Sequence, residues 1–327
     1  MRSHRPTEHD ADDVVIDARE ARRTYGAGGR SAYEAVRGVT LQVRRGEVFA
    51  LLGTNGTGKT STVELLEGLA RPSAGRVRVL GHDPFTERAK VRARTGVMLQ
   101  SGGFPGELTV AEVTRFWAQC SSGARSVSEV LELVGLTDRS GVRIKQLSGG
   151  EVRRLDLGLA VIGRPEVLFL DEPTTGMDPE GRRDTWRVVR QLRDERTTVL
   201  LTTHYLEEAE ELADRLAILQ HGRVVVGGTP AEVITAHPSR IRFGLPPGWD
   251  SESLPPLPGT THLEASGPGI TVTVHTTSLQ AALSRLLSWA DDGDVTLERL
   301  DARSASLEEA FLALTSASKT DLAESRS

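Results

Sequence analysis

The sequence predicts an α/β protein built on a largely parallel sheet, with a helical insertion inside its first domain and a small α+β module after it. Three observations carry that expectation. Short β-rich apolar runs alternate with amphipathic stretches from Val14 onward; the β-runs disappear between Thr109 and Ile162, where Val110, Val113, Phe116 and Trp117 recur at helical spacing; and the composition shifts near His237. A chain of 327 residues with 38% hydrophobic content is long enough for one large core and a smaller second one.

Taken in order, residues 1–13 are polar without an apolar period and read as a loose terminus. The β-runs are Val39–Val43, Val48–Leu52, Arg76–Leu80, Gly96–Leu99, Val167–Leu170, Thr198–Leu201, Leu216–Leu219 and Val224–Val226. They define a first domain over 14–237, with the helical insertion at about 101–163. Pro and Gly mark Leu245–Trp249 and Leu254–Gly259 as loops or linkers. The second unit, 238–316, offers a β-run at Ile270–Val274, a helical pattern over Leu279–Trp289, a β-run at Val295–Leu300 and a helix over Leu307–Leu314. Residues 317–327 are polar and read as a disordered tail, and no internal repeat is present.

Composition removes several function classes. Lys and Arg number 40 against 45 acidic residues, interleaved to a net charge of −5, so no electrostatic track for nucleic acid is expected. Cys120 is the sole cysteine, which rules out an intramolecular disulfide and a zinc site of several thiolates. The opening residues lack an apolar signal core, and nowhere is there a run of ~18 apolar residues able to span a bilayer. A cytoplasmic protein able to dock on a membrane protein is expected.

Chemistry concentrates in the first domain. Gly53, Thr54, Asn55, Gly56, Thr57, Gly58, Lys59 and Thr60 fit G-x-x-x-x-G-K-[ST], between an apolar run and the helical stretch Ser61–Leu69. Glycines let backbone N–H groups turn toward a β-phosphate, Lys59 reaches the β- and γ-phosphates, Thr60 ligates Mg2+, and Ser61 extends the nucleotide-binding set. The plain alternative is a glycine-rich strand–helix turn. At the carboxyl end of Val167–Leu170 stand Asp171 and Glu172, where ligands bind in open α/β sheets. Strand alternation predicts opposite directions for the two, Asp171 to Mg2+ and Glu172 to a water attacking the γ-phosphate. Alone, this pair reads equally as a solvated acidic turn.

Leu147-Ser148-Gly149-Gly150-Glu151, just before the helical run Val152–Ile162, makes the pattern specific. With Gln100, the Gly176-Met177-Asp178 turn, His204 and Tyr25 in order, the chain from about Val14 to about His237 resembles the ATPases of ABC transporters. The resemblance implies a P-loop NTPase of ABC type with an antiparallel β edge. It makes Gln100 a Mg2+ and water contact at the hinge to the insertion, His204 a γ-phosphate contact that orients water, and Tyr25 an adenine platform. Ser148, Gly149, Gly150 and Glu151 then form a second anion cradle for nucleotide held by another subunit, with Asp178 at the same interface.

A homodimer or paired ATPase subunits enclosing two ATP molecules, beneath a membrane permease, follows from that resemblance. So does a docking loop at Ser101–Glu107, where Phe104 and Pro105 offer an apolar contact. The stretch from Thr202 to Glu210 and the ending Ser306–Leu314 resemble the bacterial drug- and antibiotic-exporter group, which implies export and a place on the cytoplasmic face of the membrane. Glu151 departs from the usual Gln, and Thr54 and Thr57 from the usual Pro and small residue. Competing readings are a soluble ATPase of this type acting on ribosomes or DNA, and a nucleotide-sensing module without hydrolysis.

Overall fold

The computed structural model describes residues 13–26, 32–100, 103–246, 249, 253–266 and 269–312. The expected polar terminus up to residue 12, Ser101 and Gly102 of the expected docking loop, the end of the last helix beyond residue 312 and the polar tail lie outside the described residues. The chain divides into two compact units between Thr229 and Pro230.

The first unit opens with strands β1 (Val14–Tyr25) and β2 (Tyr33–Arg44), then β3 (Val48–Leu52), helix α1 (Lys59–Leu66), β4 (Ala74–Val79), α2 (Arg88–Arg92) and β5 (Thr95–Met98). Helices α3 (Val110–Gln119), α4 (Val127–Leu133) and α5 (Gly149–Val161) follow, then β6 (Val167–Asp171), α6 (Pro179–Asp194), β7 (Thr198–Thr203), α7 (Leu206–Leu212), β8 (Arg215–Gln220) and β9 (Arg223–Gly228). Strands β5-β6-β7-β3-β8-β9 form one sheet in that order, parallel from β5 to β8 and closed by antiparallel β9. Every residue of β3, β6 and β7 is buried, which is why β3 and the first four residues of β6 read as unbroken apolar runs and β7 carries an apolar centre between threonines.

A second, antiparallel sheet, β2-β1-β4, packs over α1. Ile16, Val36 and Val39 of this sheet, Val63 and Leu66 of α1, and Leu51 and Phe169 of the parallel sheet share one core. The long β1 is hidden in sequence because its ladder slips between Ala18 and Ala21, where Glu20 takes a φ of 48°, and that slip breaks the period-two alternation.

The insertion has its own core, built on Val110, Val113, Leu131, Leu155 and Leu159. Each of its helices starts with a hydroxyl paired to a glutamate three residues on: Thr109 with Glu112, Ser126 with Glu129, Ser148 with Glu151. Between this insertion and the edge strand β5 lies a cleft of about 650 Å3, lined by Leu69, Val97, Phe104, Trp117, Glu67 and Asp156 among others. Glu67, directly after α1, is 6% exposed, and neither carboxylate oxygen has a hydrogen-bond partner among the described residues.

The second unit starts with helix α8 (Pro230–Thr235) and continues with β10 (Ser239–Leu245), β11 (Thr260–Ser266), β12 (Gly269–Thr276), α9 (Leu279–Asp292) and β13 (Glu298–Arg303). Its antiparallel sheet runs β11-β12-β10-β13, with Ile241, Phe243, Val272 and Val274 packed on Ala282 and Leu286 of α9. Two expectations are corrected here. Leu245, read as the start of a loop, ends β10 with its side chain buried beside Phe243. The last strand begins at Glu298 instead of Val295, because the Val295 amide closes the end of α9 by donating to the Ala290 carbonyl at 2.7 Å.

Burial, reinforced by the nearby charges of Asp171 and Glu64, pushes the Glu67 carboxyl up to about 8 from 4.5. Between those values the folded protein holds a proton the unfolded chain has released, so stability falls as pH rises through that window. Wild type should lose thermal midpoint relative to Glu67→Gln by roughly 5 °C between pH 5 and pH 8 in calorimetry. A difference that stays constant with pH would show that Glu67 ionises normally.

Candidate functional site

The loop between β3 and α1 is shaped by close backbone approaches. A Cβ on Gly58, whose φ is 102°, would lie 2.4 Å from the Ala35 carbonyl oxygen, and one on Gly53 would lie 2.7 Å from that of Leu219. Only glycine fits either position. Thr57 ties the loop down: its hydroxyl donates to the Thr54 carbonyl at 2.9 Å, and its carbonyl accepts from the Gly222 amide at 2.9 Å. The first residue of α1 is Lys59, whose Nζ donates to the carbonyls of Gly53 at 2.8 Å and Thr54 at 3.3 Å. Its ammonium therefore lies across the loop, 3.5 Å from Glu172 Oε1.

Glu172 is not oriented by strand alternation, as the sequence suggests. The strand stops at Asp171, and Glu172 takes a left-handed backbone with φ of 49°. Its amide donates to the Thr202 hydroxyl at 3.0 Å, and the Thr175 hydroxyl donates to Oε2 at 3.1 Å. His204 Nδ1 stands 3.3 Å from Oε1. Burial alone would raise this carboxyl; Lys59 and His204 outweigh it and hold the group below its ordinary range. Glu172 is thus a carboxylate at neutral pH. Asp171, also buried, accepts from the Thr202 hydroxyl.

Around a cleft of about 400 Å3 the structure gathers Tyr25, Asn55, Gly56, Gly58, Lys59, Thr60, Ser61, Gln100 and Glu172 from the expected set. Two residues not singled out in sequence, Tyr33 and Ala35, join them. Tyr25 and Tyr33 pair across β1 and β2. One face of Tyr25 carries the Arg23 guanidinium, 4.4 Å from the ring centroid, and its hydroxyl bonds Ser61 Oγ at 3.1 Å. Thr54, Asp171 and His204 adjoin the cleft through Lys59, Thr202 and Glu172 and do not line it.

The remaining expected residues are elsewhere on the unit. Ser148, Gly149, Gly150 and Glu151 form the start of α5, and none lines the cleft. Ser148 is exposed and accepts from the Glu151 amide at 3.2 Å, while Glu151 accepts from the Ser148 amide at 2.8 Å and pairs with Arg139 at 2.8 Å. The Ser148 amide above all, with Arg139, lowers the Glu151 carboxyl below its usual range. A Cβ on Gly149 would meet nothing within 4 Å, so the helix start is open on that side. Asp178 caps α6 by accepting from the Gly181 amide at 2.7 Å.

Arg153 is the residue that sequence reasoning missed entirely. Its Nη1 donates to the carbonyls of Leu99 at 2.7 Å and Gln100 at 3.1 Å, and its Nη2 to those of Asp171 at 3.0 Å and Glu172 at 2.7 Å. One guanidinium on the helix that begins at Ser148 thereby joins the ends of β5 and β6. Beside Arg154 it reads in sequence as one charge of a solvated face, so no local signal announced it.

A family described as ABC transporter matches residues 36–175, and one described as the C-terminal domain of ABC transporter domain-containing-like proteins matches 239–306. The chain is 38% identical over 312 residues to the daunorubicin resistance ATP-binding protein DrrA3 of Streptomyces coeruleorubidus, covering 93% of this chain and 96% of that one. It is 36% identical over 315 residues to the Nod factor export ATP-binding protein I of Paraburkholderia xenovorans, covering 93% and 97%. Among solved structures, an ATP-binding subunit of an ABC transporter superposes with a TM-score of 0.59 at 26% identity, over 67% of this chain and 91% of that chain.

Because a lysine offers a point charge in place of a planar fork, Arg153→Lys cannot hold four carbonyls at once. Turnover of ATP, followed as phosphate release, should fall about tenfold with nucleotide affinity nearly unchanged. Equal loss of affinity and turnover would mean that Arg153 merely supports the fold.

Proposed function

The chain belongs to the ABC transporter family as an ATP-binding, ATP-hydrolysing subunit, and from that premise we propose how its cleft works and what it powers. ATP lies along the loop from Gly53 to Thr60, with its phosphates toward Lys59 and its adenine against the exposed ring of Tyr25 or Tyr33. The observation that carries this reading is Glu172, kept ionised between Lys59 and His204 at the foot of the cleft. Glu172 polarises the attacking water and His204 orients it.

The oxygen donors of Thr60, Asp171 and Gln100 fit a hard cation such as Mg2+. Bound there, Mg2+ would neutralise charge on the phosphate oxygens. Lys59 is withdrawn onto its own loop carbonyls, and exchanging those for phosphate oxygens keeps its ammonium fully bonded.

Two copies, or this chain and a paired ATPase subunit, close head to tail over nucleotide. The open start of α5 supports this, because Ser148 and Gly149 are exposed and none of residues 148–151 lines their own cleft. Glu151, neutralised by Arg139, does not repel the phosphate brought to it. A separate permease docks at the insertion, where Phe104 and Trp117 meet edge to face at 6.1 Å beside the larger cleft. Relatives named for daunorubicin resistance and Nod factor export support export of a drug-like small molecule. Among the described residues no helix is long and apolar enough to cross a membrane, in keeping with a peripheral subunit at the cytoplasmic face.

Glu172→Gln should bind ATP normally, lose turnover by at least about a hundredfold, and accumulate as an ATP-dependent dimer in light scattering. Near-normal phosphate release would remove Glu172 from its role. Purification of the tagged chain from native membranes should recover a polytopic protein, and substituting Phe104 by Asp should lose it.

A further inference from the structure

We propose that the cleft between β5 and the helical insertion receives a basic side chain, an Arg or Lys carried on the permease's docking segment, and that Glu67 and Asp156 are the carboxyl groups that hold it. The proposal rests on the permease-docking reading above and names the chemistry of the contact.

Glu67 is the reason to look for a cation. It is 6% exposed, lines the cleft, and leaves both oxygens without a hydrogen-bond partner among the described residues. A buried carboxyl in that condition forfeits its hydration and receives nothing in return. Asp156 lines the same cleft and has one ion pair, with Arg153 at 3.7 Å. Burial pushes its carboxyl up to about 6. The remaining wall is apolar, with Leu69, Val97, Phe104 and Trp117. Such a lining suits a segment that presents aliphatic surface and one positive charge: the stem of Arg or Lys packs on the walls while its head reaches the two acids. Arg92 also lines the cleft, but it is exposed and makes no ion pair with either acid among the described residues. No group of three or more metal-ligating side chains occurs among the described residues, so a metal ion is a poorer occupant.

Occupation of this cleft would be felt at the nucleotide site. Asp156 pairs with the same Arg153 whose guanidinium holds the carbonyls of Gln100 and Glu172. A cation arriving beside Asp156 competes for that carboxylate and frees or shifts Arg153. Glu67 sits at the far end of the helix that begins with Lys59.

The sole cysteine, Cys120, is exposed and lines the cleft, so it can carry a benzophenone cross-linker in the full chain co-purified with its polytopic partner. The labelled partner segment should contain an Arg or Lys. Replacing that residue by Met, or making Glu67→Gln or Asp156→Asn here, should each lower recovery of the partner about tenfold or more, and the partner change combined with Glu67→Gln should be no worse than either alone. Glu67→Gln should keep nucleotide affinity and a cooperative thermal transition, which separates lost docking from misfolding.

The proposal is overturned, with docking itself intact, if the labelled segment lacks a basic residue or if both acid variants recover the partner within about twofold of wild type. It is equally overturned if Arg92→Ala abolishes the effect of Glu67→Gln, because the cation is then the chain's own. Failure to recover any polytopic protein with the unmodified chain sinks the docking reading and this proposal together.

Discussion

A buried ammonium organises the first unit. Lys59 is 5% exposed, and its charge is tolerable there only because two loop carbonyls and the Glu172 carboxylate surround it. The glycines at 53 and 58 allow the carbonyls to approach, the buried strands β3 and β6 bring loop and carboxylate to the same end of the sheet, and α1 is gripped between the two sheets so that its first residue cannot drift. The charge of Lys59 in turn keeps Glu172 ionised. In the proposed roles of Lys59 and Glu172, phosphate binding and water activation therefore draw on one electrostatic arrangement.

Sequence and structure agree best where the chemistry is contiguous. The phosphate loop and the Asp171-Glu172 pair are local: each depends on a strand's end and the residues after it, and buried parallel strands read as unbroken apolar runs. Agreement weakens where contacts join distant segments. Tyr33 enters the cleft only because β1 and β2 pair across Tyr25, and Arg153 acquires meaning only when the ends of β5 and β6 fall within reach of one guanidinium. Glu67 directly follows α1 and has no sequence mark of its burial.

The second unit is less legible in its sequence, for a different reason. Strand β11 has the sequence TTHLEAS, with one large apolar residue, Leu263, that is itself exposed. Residues 260–263 are exposed and the strand is held by its ladder to β12, so hydrophobic periodicity carries no trace of it. Strand β10 does alternate, with Ile241, Phe243 and Leu245 inward, but the neighbouring prolines draw its end toward a loop assignment. Strand β1 of the first unit is hidden by another cause, the register slip in its ladder to β2.

The reciprocal pairing of Ser148 and Glu151 has a consequence for specificity. A helix opening offers four unclaimed amides, and left that way it would collect chloride or free phosphate from the surrounding solution. Here the amides of residues 148 and 151 are already spoken for, which leaves only the two glycine amides between them. Two donors make a poorer anion site than four, and under the proposed closure they would add to a shell that another surface has mostly built. In the head-to-tail closure proposed above, the tip would therefore collect no anion by itself and would serve only one already held from the other side.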